Sequence, residues 1–245
     1  MILRRVIAHF RKQEWTAIFL DFLIVVLGVF VGLQVNNWNE GNADRRREIA
    51  YLQRLHDDVA SSRADTESDE RSVRARNELL QAAMAAFESK DPARIAELGA
   101  EHCSAIIRSH IYASAIVTPP TINEILQSGD VGIVQDRALR GAILRFDQAA
   151  EDMSQLRTDL QIDRRSLGRV YSGKIKVGLR RWEDSECRFA ELQNDQEFLN
   201  DFADNLRRDD AFASAVVGRL NRMQVELHSL LDEKLGMTHE PDAAR

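Results

Sequence analysis

Proline and cysteine are scarce in this chain. Four prolines and twelve glycines among 245 residues leave few obligatory breaks, which favours long helices over a fold of strands and tight turns. Two cysteines, Cys103 and Cys187, are too few for a disulfide scaffold and lack the C-x-x-C spacing of zinc or thiol redox sites. They form either one bridge or two buried thiols, and the bridge is the expectation in an oxidising compartment. Also missing are G-x-S-x-G, a P-loop, G-x-G-x-x-G and H-E-x-x-H, so no catalytic residue, cofactor or metal is expected. Basic residues are outnumbered, 33 Lys and Arg against 39 Asp and Glu. Such a balance argues against nucleic acid as a partner, because neutralising phosphates needs a basic face.

What the chain does have is one long apolar run, WTAIFLDFLIVVLGVFVGLQV from Trp15. At 1.5 Å per residue, residues 17–35 span roughly 28 Å, about one hydrocarbon thickness. The run continues into QVNNWNE without an A-x-A-like cleavage site, so a retained anchor is expected rather than a signal peptide. Trp15 and Trp38 mark the two interfaces, where indoles prefer the headgroup layer. Asp21 lies one turn inside, reaching the interface or pairing with a basic helix. Gly28 and Gly32 form a G-x-x-x-G on which a second helix can pack closely. Gln34, Asn36 and Asn37 follow on the far side, as interface or partner contacts. Arg4, Arg5, Arg11 and Lys12 precede the span, and residues 36–245 hold 29 basic against 37 acidic residues. Arg45, Arg46, Arg47 and Arg54 after the span match the four before it in number, but they are accompanied by acids. The basic head of residues 1–16 is therefore expected to stay in the cytoplasm of a bacterial cell and the soluble part to lie outside; in a Gram-negative cell that is the periplasm, with the anchor in the inner membrane.

Val25 to Glu40, VVLGVFVGLQVNNWNE, is followed by basic residues and YLQRLHDDV. This stretch resembles the N-terminus of a family of uncharacterised bacterial single-pass membrane proteins, a domain of unknown function, whose apolar helix ends in L-Q-x-N-N-W-N-E. A second stretch, TINEILQSGDVGIVQDRALRGAILRF from Thr121 to Phe146, is similar to that family's later E-L-x-x-S-G element. The resemblance implies membrane anchoring and a helical soluble part, and carries no activity.

Leu52, Val59, Thr66, Val73, Leu80 and Phe87 recur every seven residues in a run without proline or glycine. That spacing predicts one long helix with a narrow apolar seam, a juxtamembrane stalk over residues 36–87. Residues 88–236 then read as an antiparallel bundle, and residues 237–245 as a flexible tail. Within the bundle, Asp91-Pro92 opens a helix running to Pro119-Pro120, and Thr121 with Glu124 offers a capping box. Asp136 caps a helix striped by Leu139, Phe146, Met153, Leu160 and Leu167. Residues 172–194 read as a long connection, and a last helix ends at Gly236. The fold class is all-α.

Two local constellations could carry chemistry. His102, Cys103 and His110 share one predicted helix, but two imidazoles and a thiol without a supporting carboxylate pair make a poor ligand set. The loop Ser128, Gly129 and Asp130 reads either as a glycine helix stop or as a ligand loop with partly unpaired backbone. Arg45 to Arg47 could meet lipid headgroups, or form a solvated face. The expected function is a membrane-anchored interaction or scaffold module, in contact with the bilayer and with a protein partner or a second copy through the membrane helix. The alternative is a periplasmic ligand-sensing domain that signals through a partner protein.

Overall fold

The computed structural model describes residues 15–237, so most of the basic head and most of the tail lie outside the described residues. The fold is all-α apart from one two-stranded ribbon. Helix α1, Trp15–Ser89, contributes its first part to a unit ending at Ala50 and the rest to a unit beginning at Tyr51. The second unit continues with α2 (Pro92–Ala96), α3 (Ala100–Arg108), α4 (Pro120–Gln127) and a 3-10 turn, Asp130–Ile133. Next come α5 (Arg137–Leu160), α6 (Leu167–Val170), β1 (Ile175–Lys176), β2 (Glu186–Cys187), α7 (Phe189–Leu192) and α8 (Gln196–Ala211). A π-helical stretch, Phe212–Val217, joins α8 to α9, Gly218–Leu235.

The heptad seam of α1 is buried throughout: Leu52, Val59, Thr66, Val73, Leu80 and Phe87 are each less than a tenth exposed. Their burial corrects the expectation of a stalk ending at residue 87, since from Tyr51 onward α1 is a core helix of the second unit. The stripe is narrow because the partners of α1 are themselves helices, each needing only one apolar row to pack. Its first half joins α4, α5 and α9 in one apolar cluster around Phe146 and Phe212. Its last turns join α3, α6 and α8 in a second cluster. There Phe87 meets Phe198 and Phe202 edge-on at 5.9 and 6.0 Å between ring centres, a geometry that suits the ring quadrupoles.

A polar layer separates the two clusters. The guanidinium of Arg76 is paired with the fully buried Asp209, and its Nη1 donates to Ile111 O at 3.0 Å. Nearby, Asn205 Nδ2 donates to Ser109 Oγ at 3.0 Å and to Arg165 O at 2.8 Å. The π-helical stretch follows directly after this layer and delivers Phe212, Val216 and Val217 into the first cluster.

Several helix ends differ from expectation. The helix opened by Asp91-Pro92 is capped as predicted, with Asp91 Oδ1 accepting from Ala93 N, but it stops at Ala96 and restarts after Gly99. Thr121 and Glu124 do not form a capping box. Pro120 occupies the first helical position instead, Thr121 N donates to Asp58 Oδ2 of α1 at 3.0 Å, and Glu124 pairs with Arg54. Tertiary contacts thus supply the cap that the local sequence offered. Leu167 lies beyond the end of α5, in α6, so the expected stripe ends at Leu160.

Residues 172–194 are mostly irregular, with Ile175 facing Cys187 in the short antiparallel ribbon. Gly178 is required there, because a Cβ would lie 2.2 Å from Arg181 O. Asp195 closes the segment: it caps α8 by accepting from Phe198 N at 3.1 Å and pairs with Lys174 at 2.6 Å. The Lys174 hydrogen bond, followed by that cap, holds the Asp195 carboxyl below the usual carboxylate range. A lowered native value contributes stability above the unfolded-state pKa, and that stability is lost as the pH falls through the native value. Asp195→Ala should therefore cost about 1 kcal/mol in urea unfolding at neutral pH. The difference from wild type should shrink below about pH 4.

Candidate functional site

The membrane-type residues expected from sequence all lie in the first unit. Ile18 to Glu40 are exposed without exception. One helical stretch near the N-terminus is long and apolar enough to cross a membrane, with mean hydropathy 2.5 and none of its apolar window buried. Asp21, Gln34, Asn37 and Trp38 are exposed on it, as is Trp15 at its start, and Asn36 Nδ2 donates to Glu40 Oε1 at 2.8 Å. A Cβ at Gly28 or Gly32 would meet nothing within 4 Å, so the backbone is open to close approach at both positions.

The loop Ser128, Gly129 and Asp130 is a helix stop. Ser128 N donates to Glu124 O, Gly129 N to Leu126 O, and Asp130 N to Ser128 Oγ. Gly129 takes the left-handed conformation, φ 77°, which only glycine adopts without strain. The reason for expecting a ligand there, unpaired backbone, is thereby removed. Asp130 is also engaged, 3.4 Å from Tyr51 Oη.

Cys103 and Cys187 are bonded, with Cα atoms 5.6 Å apart. The bond ties β2 to α3. It also dissolves the local cluster of His102, Cys103 and His110, because a bridged sulfur is no thiolate ligand. His102 Nδ1 accepts from Gly99 N at 3.1 Å and so serves the start of α3. His110 Nδ1 is buried without a hydrogen-bond partner among the described residues, and burial lowers its pKa. Tyr112, with its Oη in the same condition, is pushed up to about 12 by burial and then by the Asp209 charge.

A different constellation, unread in the sequence, lies between α1 and α9. His56 and His228 are 5% and 8% exposed, and Asp232 completes a group whose donor atoms all lie within 4.8 Å of one another. His56 Nε2 is 3.1 Å from Asp232 Oδ1, and His228 Nδ1 is 2.9 Å from Asp232 Oδ2. The two imidazoles stand 4.7 Å apart, tilted by 37°. On its other side, His56 Nδ1 faces Asp57 Oδ1 at 3.3 Å.

The helices explain why these groups meet. His56 sits beside Leu52, Leu55 and Val59 on the buried stripe of α1. His228 and Asp232 are four apart on α9, hence on one face, flanked by the buried Leu227 and Leu231. Packing the two apolar stripes together brings three polar groups inside with them. Their separation, 176 positions between His56 and Asp232, hid the group from local motif reading. The spacing H-x-x-x-D on a buried helical stripe was the one available signal.

Chemically, the group can share protons between two imidazoles and a carboxylate, or chelate a cation with an N,N,O donor set.

No curated protein and no solved structure matches this chain. Residues 21–81, about a quarter of the chain, are similar to a family of unknown function (DUF6090), over a stretch that contains most of the apolar run, His56 and Arg76 but ends before His228 and Asp232.

Proposed function

We propose that this chain is a single-pass membrane protein whose helical unit from Tyr51 onward is an interaction module without catalytic activity of its own. It is held in the periplasm of a bacterial cell by an inner-membrane anchor with a cytoplasmic N-terminus. The exposed apolar stretch from Ile18 to Val35 carries this reading. Each Leu, Ile, Val or Phe left in water forgoes about 1.5–3 kcal/mol of burial. Fourteen such residues between Ile18 and Val35 therefore demand an apolar environment. Arg4, Arg5, Arg11 and Lys12 ahead of the stretch support a cytoplasmic N-terminus. The Cys103–Cys187 bond suits an oxidising compartment.

For the partner, two features support interaction over turnover. Gly28 and Gly32 leave a face on which a second copy of the helix can pack. On the loop joining β1 to β2, Leu179 is fully exposed and Trp182 is 40% exposed. Aromatic and arginine side chains in such a setting, here with Arg180 and Arg181 beside them, suit a protein contact.

Alkaline carbonate extraction of the full-length chain tests the anchor. The protein should stay in the membrane pellet at full length, and a C-terminal alkaline phosphatase fusion should be active while a green fluorescent protein fusion stays dark. Release into the soluble fraction, or a mature N-terminus beyond residue 35, would overturn the anchor. The opposite reporter pattern would overturn the orientation. Gly28→Ile with Gly32→Ile should reduce oligomer size in detergent, and an unchanged size would move self-association to another surface.

A further inference from the structure

We infer that His56, His228 and Asp232 form a binding site for a divalent transition-metal ion of the zinc class. Two imidazole nitrogens and one carboxylate are a donor set suited to zinc, whereas magnesium and calcium prefer oxygen alone. The donor atoms lie within 4.8 Å of one another, and two of their separations are 2.9 and 3.1 Å. Tetrahedral zinc, with bonds of roughly 2.0–2.1 Å, holds its ligands about 3.3 Å apart. Small side-chain rotations therefore convert the group from a hydrogen-bonded trio to a chelate.

Three further observations favour a metal over a purely structural trio. The ligands come from two helices, with His228 and Asp232 one turn apart, so two of the three donors are already placed by one rigid element. His56 presents Nε2 to the group while its Nδ1 faces the Asp57 carboxylate. That is the outer-sphere arrangement which orients a metal-binding imidazole and raises its basicity. Finally, the Asp232 side chain is 20% exposed, which provides an entry path and lets water complete the coordination.

On binding, each imidazole offers the ion an unprotonated nitrogen and keeps one proton on its other ring nitrogen, so a neutral ring only moves its proton across and an imidazolium releases one to solvent. The site also cross-links the middle of α1 to the end of α9, which no disulfide does among the described residues.

The test uses the full-length chain in mild detergent, purified through a tag without histidine and stripped with chelator. Zinc titration against a fluorescent chelator should give one ion per chain, and zinc should raise the thermal midpoint. Cobalt(II) should produce the visible absorption of a tetrahedral N,O site, with no response to magnesium. His228→Gln and Asp232→Asn should each weaken zinc by about 100-fold, and Asp57→Asn by about 10–100-fold, the range typical of outer-sphere partners. Circular dichroism of the stripped variants shows that each one folds. Absent cobalt absorption in the wild-type chain, or zinc affinity equal in wild type and His228→Gln, would leave a hydrogen-bonded trio only and overturn the assignment.

Discussion

Reducing the Cys103–Cys187 bond should lower the unfolding free energy by about 4 to 5 kcal/mol, the chain-entropy value for a closed loop of its length. The bonded residues are 84 positions apart. The loss is large beside the 5–15 kcal/mol that holds a typical domain together. At about 2–4 °C per kcal/mol, it corresponds to a fall in Tm of roughly 10 °C or more. Cys103 is buried in the second apolar cluster, with Cys187 packed against it, so the double variant Cys103→Ala, Cys187→Ala removes the cross-link at little cost in polarity. Thermal unfolding of oxidised protein, reduced protein and the double variant should place the last two together, well below the first. Trp182 lies between β1 and β2 and reports on that segment, although Trp15 and Trp38 also emit. A change in fluorescence that precedes the loss of helical circular dichroism would show that only the ribbon detaches. A fall of under about 1 kcal/mol would refute the loop-closure account.

Asp209→Ala should cost about 3–5 kcal/mol, the usual penalty for removing one member of a buried ion pair. Asp209 is fully buried and the Arg76 side chain is 10% exposed, so solvent cannot replace the lost partner. Asn77 Nδ2, 3.4 Å from Asp209 Oδ2, also loses its acceptor. Burial holds the Asp209 carboxyl above the usual carboxylate range, outweighing the attraction of Arg76. By linkage, a raised native pKa means that the carboxyl's own contribution is fully present below the unfolded value and is lost as the pH rises through the native value. At neutral pH the charged pair therefore pays for its desolvation. Arg76→Met with Asp209→Leu should accordingly lose much less than Asp209→Ala alone, and the two-residue variant can approach wild-type stability. Urea unfolding of the three variants decides this. Equal losses in Asp209→Ala and the double variant would mean that the layer holds the two apolar clusters in register through its geometry rather than its charge.

The sequence by itself determined the features that depend on near neighbours. The apolar run from Ala17 to Val35, the seven-residue seam of α1, the caps at Asp91 and Asp136, and the stop at Gly236 all follow from spacing within a few turns. The structure carries each of the described ones: the Asp136 side chain accepts from Ala138 N and Leu139 N, and Gly236 ends α9 in the left-handed conformation. These features are legible because helix formation, capping and amphipathicity act over three to seven residues.

Only the tertiary structure decided what joins distant segments. It replaced the local cap at Thr121 by Asp58 of α1, made a core helix of the expected stalk, and moved histidine chemistry from His102 and His110 to His56, His228 and Asp232. It also paired Arg76 with Asp209, 133 positions away. A polar residue on an apolar stripe carries no mark of its partner, because the partner is chosen by the register in which two helices pack. That register is set by the whole buried surface, which no short window of the chain contains.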